Sequence, residues 1–369
     1  MKQRELKSLS AKALFNLNIF DGENTTNGWA VIDGEVQALG FGDEYKNLEQ
    51  EFTDAKGGFL SPKLLDTHIH GGNGHKNDDG AEEMQQVLDY HAGHGVGSTF
   101  LSLISAPVSQ ILELIDSAKT IKDSRFLGLH LEGPFISQEF KGAHDPEVLH
   151  APTDNEMNEI IERGKGVVRS ITLAPELTPT SQINALLDAG IMPCFGHSAA
   201  GYEPTKEFFK LGSKVMTHAF NGMSGIHHRA PGPIPAALEA DAFTELIADG
   251  VHVEAAAARL LNPNRVILVT DAMVATGMPD GKYSLGSMAV EVRESIARTE
   301  SGSIAGSTLL LKTAVQNYAN WVNSPEAALR AAITNPAVAY GINPRTISQG
   351  ETDWLLWDKE LNLLEQSAN

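Results

Sequence analysis

The chain has 369 residues, of which 42% are hydrophobic and 20% charged, a balance that builds a sizeable core and excludes extended disorder. Its 28 Lys and Arg against 47 Asp and Glu leave a formal charge of −19, which excludes nucleic acid and anionic membrane as partners and requires any anionic ligand to meet a local positive pocket. Cys194 is the only cysteine, so no intramolecular disulfide is possible and a reducing cytoplasm is expected.

The opening, Met1 to Ser10, is charged and unlike a signal peptide, and no stretch reaches the roughly 18 apolar residues of a membrane helix. Short β-like runs follow at 13–20, 28–32 and 35–40, parted by the turn signals Asp21-Gly22 and Asp33-Gly34. The same character returns at 352–357 and 361–364, so both chain ends are expected to build one small β-sandwich module, residues 1–60 plus 345–369. Between them, over 61–344, apolar runs alternate with helix-period segments. The runs lie at 64–70, 98–104, 127–132, 167–174, 191–197, 214–218, 244–249 and 266–271. The helical segments lie at 81–94, 108–122, 155–163, 180–189, 203–210, 234–240, 255–261 and 307–322. Eight alternations with nearly continuous apolar strands predict an α/β fold, a (β/α)8 TIM-like barrel sheathed in helices.

The polar residues in these runs sit at their ends: His68 and His70 in the first, Glu132 in the third, His197 in the fifth, His218 in the sixth and Asp271 in the eighth. In a barrel those ends meet at one mouth, where such enzymes place their active sites. His68 and His70, two apart on a strand, point to one face. Alone the pair fits hydrogen-bonded core histidines equally well; with the other four, a metal site is the better reading. Imidazole and carboxylate suit zinc, and less selectively iron, manganese or cobalt. Glu132, His197 and His218 would hold one ion, His68 and His70 a second, so one or two divalent metals are expected. Asp271 ends an apolar strand, where an unpaired carboxylate is costly; it is read as general base and acid toward a metal-activated water, the alternative being a helix N-cap.

Several segments carry a resemblance. Asp66-Thr-His-Ile-His-Gly, His130-Leu-Glu-Gly-Pro-Phe, Lys141-Gly-Ala-His, Leu173-Ala-Pro-Glu, Gly196-His-Ser, Thr217-His-Ala-Phe-Asn-Gly-Met, Asp249-Gly-Val-His and Val269-Thr-Asp-Ala resemble, in order and spacing, the N-acetylglucosamine-6-phosphate deacetylases of the amidohydrolase superfamily. The resemblance implies a hydrolase that acts on the acetamide of a phosphorylated amino sugar, with Glu132, His197 and His218 as main metal ligands and Asp271 as acid and base. It implies further that His144 touches the sugar, that Asn221 and Gly222 help to seat the phosphate, that Arg229 and His252 bind it, and that Ser307 lies near the acetyl group. In relatives, Arg229 or His252 can come from a neighbouring subunit, which implies a homodimer. Lys63 and Leu64 depart from the family's usual Gly-Phe, and the chain stops at Asn369, short of a further strand that relatives carry.

Other residues are read conservatively. His91 and His94 lie late in a helix, where a partly cationic imidazole suits the dipole. His130 is a supporting or core histidine, and Cys194 is packing. A cyclic-amide or dipeptide hydrolase leaves Arg229 and His252 unexplained, and a decayed, non-enzymatic barrel conflicts with six retained candidates.

Overall fold

The computed structural model describes residues 12–368; the charged opening and the outermost ends of the expected terminal module, residues 1–11 and 369, lie outside the described residues. All eight expected barrel strands form: β1 (Leu64–Ile69), β2 (Val96–Ile104), β3 (Phe126–Glu132), β4 (Val168–Leu173), β5 (Met192–Phe195), β6 (Val215–Met216), β7 (Phe243–Ile247) and β8 (Val266–Val269). They make one parallel eight-stranded sheet in chain order. Both faces are covered, which is why the strands are nearly continuously apolar.

The seam between β1 and β8 is closed by a carboxylate and by backbone past the strand ends. Asp66 accepts from Thr270 Oγ1 (2.7 Å), Thr270 N (3.3 Å) and His68 N (3.2 Å). Asp271 N donates to His68 O (2.9 Å) and His70 N to Ala272 O (2.8 Å). Burial pushes Asp66 up to about 7 against the pull of these donors. The buried helix Pro325–Ala339 packs across the same seam, with Asn335 Nδ2 donating to Val266 O at 2.7 Å. That helix is absent from the sequence-based expectation, although Ser324 caps it by accepting from Ala327 N and Pro325 opens it.

Two further departures shape the mouth. The last expected helix begins at Leu311 rather than 307, because Ser307 spends its backbone on the strand-8 loop, donating to Asp271 O (2.7 Å) and accepting from Met273 N (3.0 Å). Between these segments lies a three-stranded antiparallel sheet, Gly281–Leu285, Met288–Arg293 and Ile296–Thr299. Its inner residues Leu285, Val290, Val292 and Ala297 pack with Ile104, Ala143 and Met273 as a roof beside the barrel.

The chain ends meet in a seven-stranded sheet running Leu363–Gln366, Trp354–Trp357, Phe59–Pro62, Lys12–Phe20, Thr25–Asp33, Glu35–Phe41, with Thr53–Asp54 beside Lys12–Phe20. Trp354 and Trp357 are buried, and their indole N–H groups donate to Gly34 O (3.0 Å) and Ser61 Oγ (2.9 Å). Among the described residues no helix is long and apolar enough to cross a membrane.

His91 corrects an expectation. It is fully buried, its Nε2 sits 3.0 Å from Gly71 O, and burial pushes it down to about 4. Burial and Lys312 lower His94 as well. A helix-end dipole of at most a kcal/mol or so does not offset removal of a cation from water. Because the unfolded imidazole takes a proton that the folded one refuses, His91 destabilises the fold as pH falls from about 6.5 to about 4. In His91→Gln, which retains a donor for Gly71 O, unfolding free energy should depend less steeply on pH across that window, by up to about 1.4 kcal/mol per pH unit. Denaturant titrations at several pH values measure this, and an unchanged slope would contradict a neutral buried His91.

Candidate active site

The barrel brings the six strand-end candidates to one point at its C-terminal mouth. His68 lies on β1 and Glu132 closes β3, but the other four fall just past their strands, His70 by one residue and His197, His218 and Asp271 by two. Three of them have left-handed backbone: His197 (φ 46°), His218 (φ 26°) and Asp271 (φ 51°). Such residues cost on the order of 1–3 kcal/mol each and persist only where the surroundings determine them. Here the determinants are backbone bonds that carry each loop across to a neighbour: Ser137 N to His197 O (2.8 Å), Ala219 N to Glu245 O (2.7 Å) and Ser307 N to Asp271 O (2.7 Å).

Glu132, 3% exposed, is the hub. Its Oε1 lies 2.9 Å from His218 Nε2, 3.2 Å from His197 Nε2 and 3.7 Å from His68 Nε2. Its Oε2 lies 3.0 Å from His70 Nε2 and 3.4 Å from His144 Nε2. Asp271 Oδ1 is 3.4 Å from His70 Nε2 and 3.6 Å from His68 Nε2.

The donor chemistry fits a cation. His197 Nδ1 faces a carbonyl, Phe140 O at 2.7 Å, so it carries the ring proton. His197 Nε2 is then a bare lone pair, 3.1 Å from His218 Nε2 and beside a carboxylate. His68 Nε2 and His70 Nε2 also face each other at 3.1 Å. Buried His70 Nδ1 and His218 Nδ1 have no partner, so those rings are oriented by their Nε2 side alone. Positive charge, from protons or a metal, is what holds such a cluster together. The titration behaviour agrees. Burial favours neutral imidazole, yet Asp271 and Glu132 raise His68 well above its ordinary value, and Glu132 also raises His197. Burial would raise Glu132, but His68, His144 and His197 hold it well below the usual carboxylate range. Two triads gather close enough to share an ion: His68, His70 and Asp271, and Glu132, His144 and His197.

Beside the hub lies a cavity of about 240 Å³. Among its lining residues are His144, Asn221, Gly222, His252, Asp271 and Leu285 of the roof. His144 Nδ1 meets Ser105 Oγ (2.7 Å), and burial pushes this imidazole down to about 4. His252 Nδ1 is 2.7 Å from Asp249 Oδ2. Gly222 has φ +60°, and a Cβ there would sit 2.7 Å from His197 Nδ1, so the loop needs glycine to reach the ligand cluster. Ser307 is buried behind Asp271, its hydroxyl donating to Thr270 O at 2.6 Å. Arg229 is not brought to this cavity. It is exposed in the 225–231 loop, its Nη1 2.9 Å from His228 Nε2.

A profile of the amidohydrolase family matches residues 59–350. The chain belongs to the amidohydrolase family. It is 38% identical, over 77% of this chain and 74% of the relative, to N-acetylglucosamine-6-phosphate deacetylase of Vibrio furnissii. It is 34% identical, over 86% and 88%, to N-acetylgalactosamine-6-phosphate deacetylase of Escherichia coli O157:H7. Among solved structures, a mutant N-acetyl-D-glucosamine-6-phosphate deacetylase of Mycobacterium smegmatis in complex with N-acetyl-D-glucosamine-6-phosphate superposes with a TM-score of 0.87 at 30% identity, over 97% and 98% of the two chains.

The amidohydrolase barrel also uses groups to which the sequence-based reading assigns no specific role. Glu176 accepts from Ser198 Oγ and Ala199 N, both at 2.6 Å, and so clamps the loop after His197. Ser105 joins His144 to Glu132 O. Glu245 lies inside β7, 3.4 Å from His68 Nδ1. A carboxylate within the apolar run Phe243–Ile247 was its available signal, the same signal that picks out Glu132. His130 is a core histidine: it bridges Ser102 Oγ (3.0 Å) and Thr172 Oγ1 (2.7 Å) beneath the hub, and burial holds it neutral.

Replacing the hub separates a ligand from a merely packed carboxylate. Glu132→Gln should lose most bound divalent metal, measured by elemental analysis after dialysis, while its circular dichroism stays that of a folded barrel. Full metal content in the folded variant would remove Glu132 from the ligand set.

Proposed function

We propose that the protein is a divalent-metal-dependent deacetylase that hydrolyses the acetamide of N-acetyl-D-glucosamine 6-phosphate to D-glucosamine 6-phosphate and acetate, in cytoplasmic amino-sugar catabolism or recycling. The observation that carries this reading is the convergence of four imidazoles within 2.9–3.4 Å of the Glu132 carboxylate beside a small polar cavity. Glu132, His197 and His218 would hold one ion and His68 with His70 a second, one or two per subunit; zinc suits these nitrogen and oxygen donors best, with iron, manganese and cobalt as alternatives. When bound, such an ion supplies Lewis-acid activation of water and of the amide carbonyl.

The chain's own residues do the rest. Asp271 takes the proton of the attacking water and delivers it to the leaving nitrogen. His144 donates its Nδ1 proton to Ser105 Oγ, whose own proton goes to Glu132 O, so its Nε2 is left to accept from a hydroxyl of the sugar. Asn221, Gly222 and His252, which line the cavity, seat the phosphate, and Ser307 holds the Asp271 loop near the acetyl group. Phosphate binding remote from the bond that breaks positions the amide. The terminal segments 1–60 and 345–369 serve as a structural module for the 61–344 barrel.

The exposed position of Arg229 supports a homodimer in which the guanidinium enters the neighbouring subunit's cavity. Ile226 in the same loop is 48% exposed, as an interface residue would be in an isolated chain. The overall charge of −19 leaves phosphate selection to such local donors.

Acetate release from phosphorylated and unphosphorylated N-acetylglucosamine and N-acetylgalactosamine, after chelation and metal add-back, tests the whole reading. Activity should vanish on chelation, return with zinc, and favour the 6-phosphate of the gluco sugar. Arg229→Ala should lower kcat/KM on that sugar by roughly 2 kcal/mol, the scale of a lost charge-assisted hydrogen bond, and barely change the unphosphorylated one. Equal losses on both would defeat phosphate recognition.

Asp271→Asn should keep its metal and lose about 10² to 10⁴ in kcat. A loss under tenfold with chemistry rate-limiting removes Asp271 from the role. Mixed with Arg229→Ala protein, it should regain activity in hybrid dimers; proven subunit exchange without recovery would instead favour sites built within one chain.

A further inference from the structure

One buried acid has no part in the scheme above. Glu245, 2% exposed, sits in the middle of β7. Its Oε1 accepts from Thr67 Oγ1 (3.1 Å) and Tyr340 OH (3.4 Å), and its Oε2 lies 3.4 Å from His68 Nδ1. Its main-chain oxygen accepts from Ala219 N at 2.7 Å, directly after His218.

We infer that Glu245 is the positioning residue of the His68 half of the centre, acting across the barrel interior on the imidazole's rear nitrogen. Two of its three side-chain hydrogen-bond partners are hydroxyls, which an amide or even water would satisfy; His68 is the basic one. A carboxyl at this depth is costly unless a basic group shares it, so packing alone does not account for an acid here. An ionised carboxylate only accepts hydrogen bonds. It therefore selects the His68 tautomer with the proton on Nδ1 and leaves the Nε2 lone pair aimed at His70, Glu132 and Asp271. The edge of His130, 4.5 Å from the His68 ring centre to centre, blocks ring rotation from the side. His197 is oriented differently, by the carbonyl of Phe140. The two halves of the centre thus have rear contacts of different kind: a neutral dipole behind His197 and an acid behind His68.

The inference rests on the reading of His68 as a metal ligand, and one thermodynamic cycle tests both separately. Co²⁺ affinity of the full chain is measured by chelator competition for wild type, His68→Asn, Glu245→Gln and the double variant. Glu245→Gln should weaken, by about 10- to 100-fold, the same ion that His68→Asn loses. The double variant should be no weaker than His68→Asn alone, and the visible spectrum of the ion on Glu132, His197 and His218 should not change. Wild-type affinity in Glu245→Gln, or additive losses in the double variant, overturns the inference. Wild-type affinity in His68→Asn overturns the ligand assignment itself, and the inference with it. Should Glu245→Gln not fold, Glu245→Asp carries the same cycle with the carboxylate withdrawn by one methylene. Tyr340→Phe, which removes a partner of Glu245 but leaves His68 untouched, should bind Co²⁺ as wild type does; a matching loss there would assign the effect to packing and overturn the positioning role.

Discussion

A carboxylate surrounded by imidazole nitrogens inside a barrel mouth is the constraint from which the rest of this structure follows. Glu132 has been taken from water and placed among four rings whose Nε2 atoms come within 3.4 Å. Uncompensated, that arrangement costs several kcal/mol for the buried charge alone. It is tolerated because the rings share positive charge with it and because two of them, His144 and His197, are held from behind by Ser105 Oγ and Phe140 O. Around that hub the chain also tolerates left-handed backbone at His197, His218 and Asp271, which turns three side chains set two residues past their strands toward the cluster that His68 and Glu132 reach from within theirs.

The support is layered. Beneath the hub, Ser102, His130, Thr172 and Thr217 form a chain of hydrogen bonds between 2.7 and 3.0 Å through the barrel interior. Such a fully connected polar layer specifies one arrangement of strands, where an all-apolar filling would admit several. At the seam, Asp66 does for strand order what hydrogen-bond ladders do elsewhere, holding Thr270 and His68 in register. The first and last strands therefore deliver His68, His70 and Asp271 to the same point, although β1 and β8 are joined there by a side chain and loop backbone.

Much of this is legible in the sequence because barrel strands announce themselves: they are apolar throughout, and a charged or imidazole residue at the end of one stands out. That contrast picks out Glu132, His197, His218 and Asp271. It fails where the contrast is weaker or the surroundings differ. The Met288–Arg293 strand alternates buried Val290 and Val292 with exposed Glu291 and Arg293, which by composition alone reads as a polar connection. The helix Pro325–Ala339 is buried along most of its length and contains Pro336, so it lacks the one-sided stripe that betrays a surface helix. His91 is misjudged because its neighbours in sequence do not show that the fold buries it completely, and burial is what keeps the imidazole neutral. Arg229 lies where no intrachain argument can lead, since its loop faces outward.

The roof of the cavity is separate in topology from its floor. Everything that touches the hub comes from the barrel, whose strands are bound on both sides by neighbours and by a shared core. Leu285, Ser303 and Ile304, which face the same cavity, come from an excursion between β8 and the helix Leu311–Val322, with its own small apolar cluster. None of the excursion's three strands pairs with a barrel strand. A substitution at its cavity-facing positions therefore alters the ceiling while the hydrogen-bonded floor of the cavity keeps its geometry.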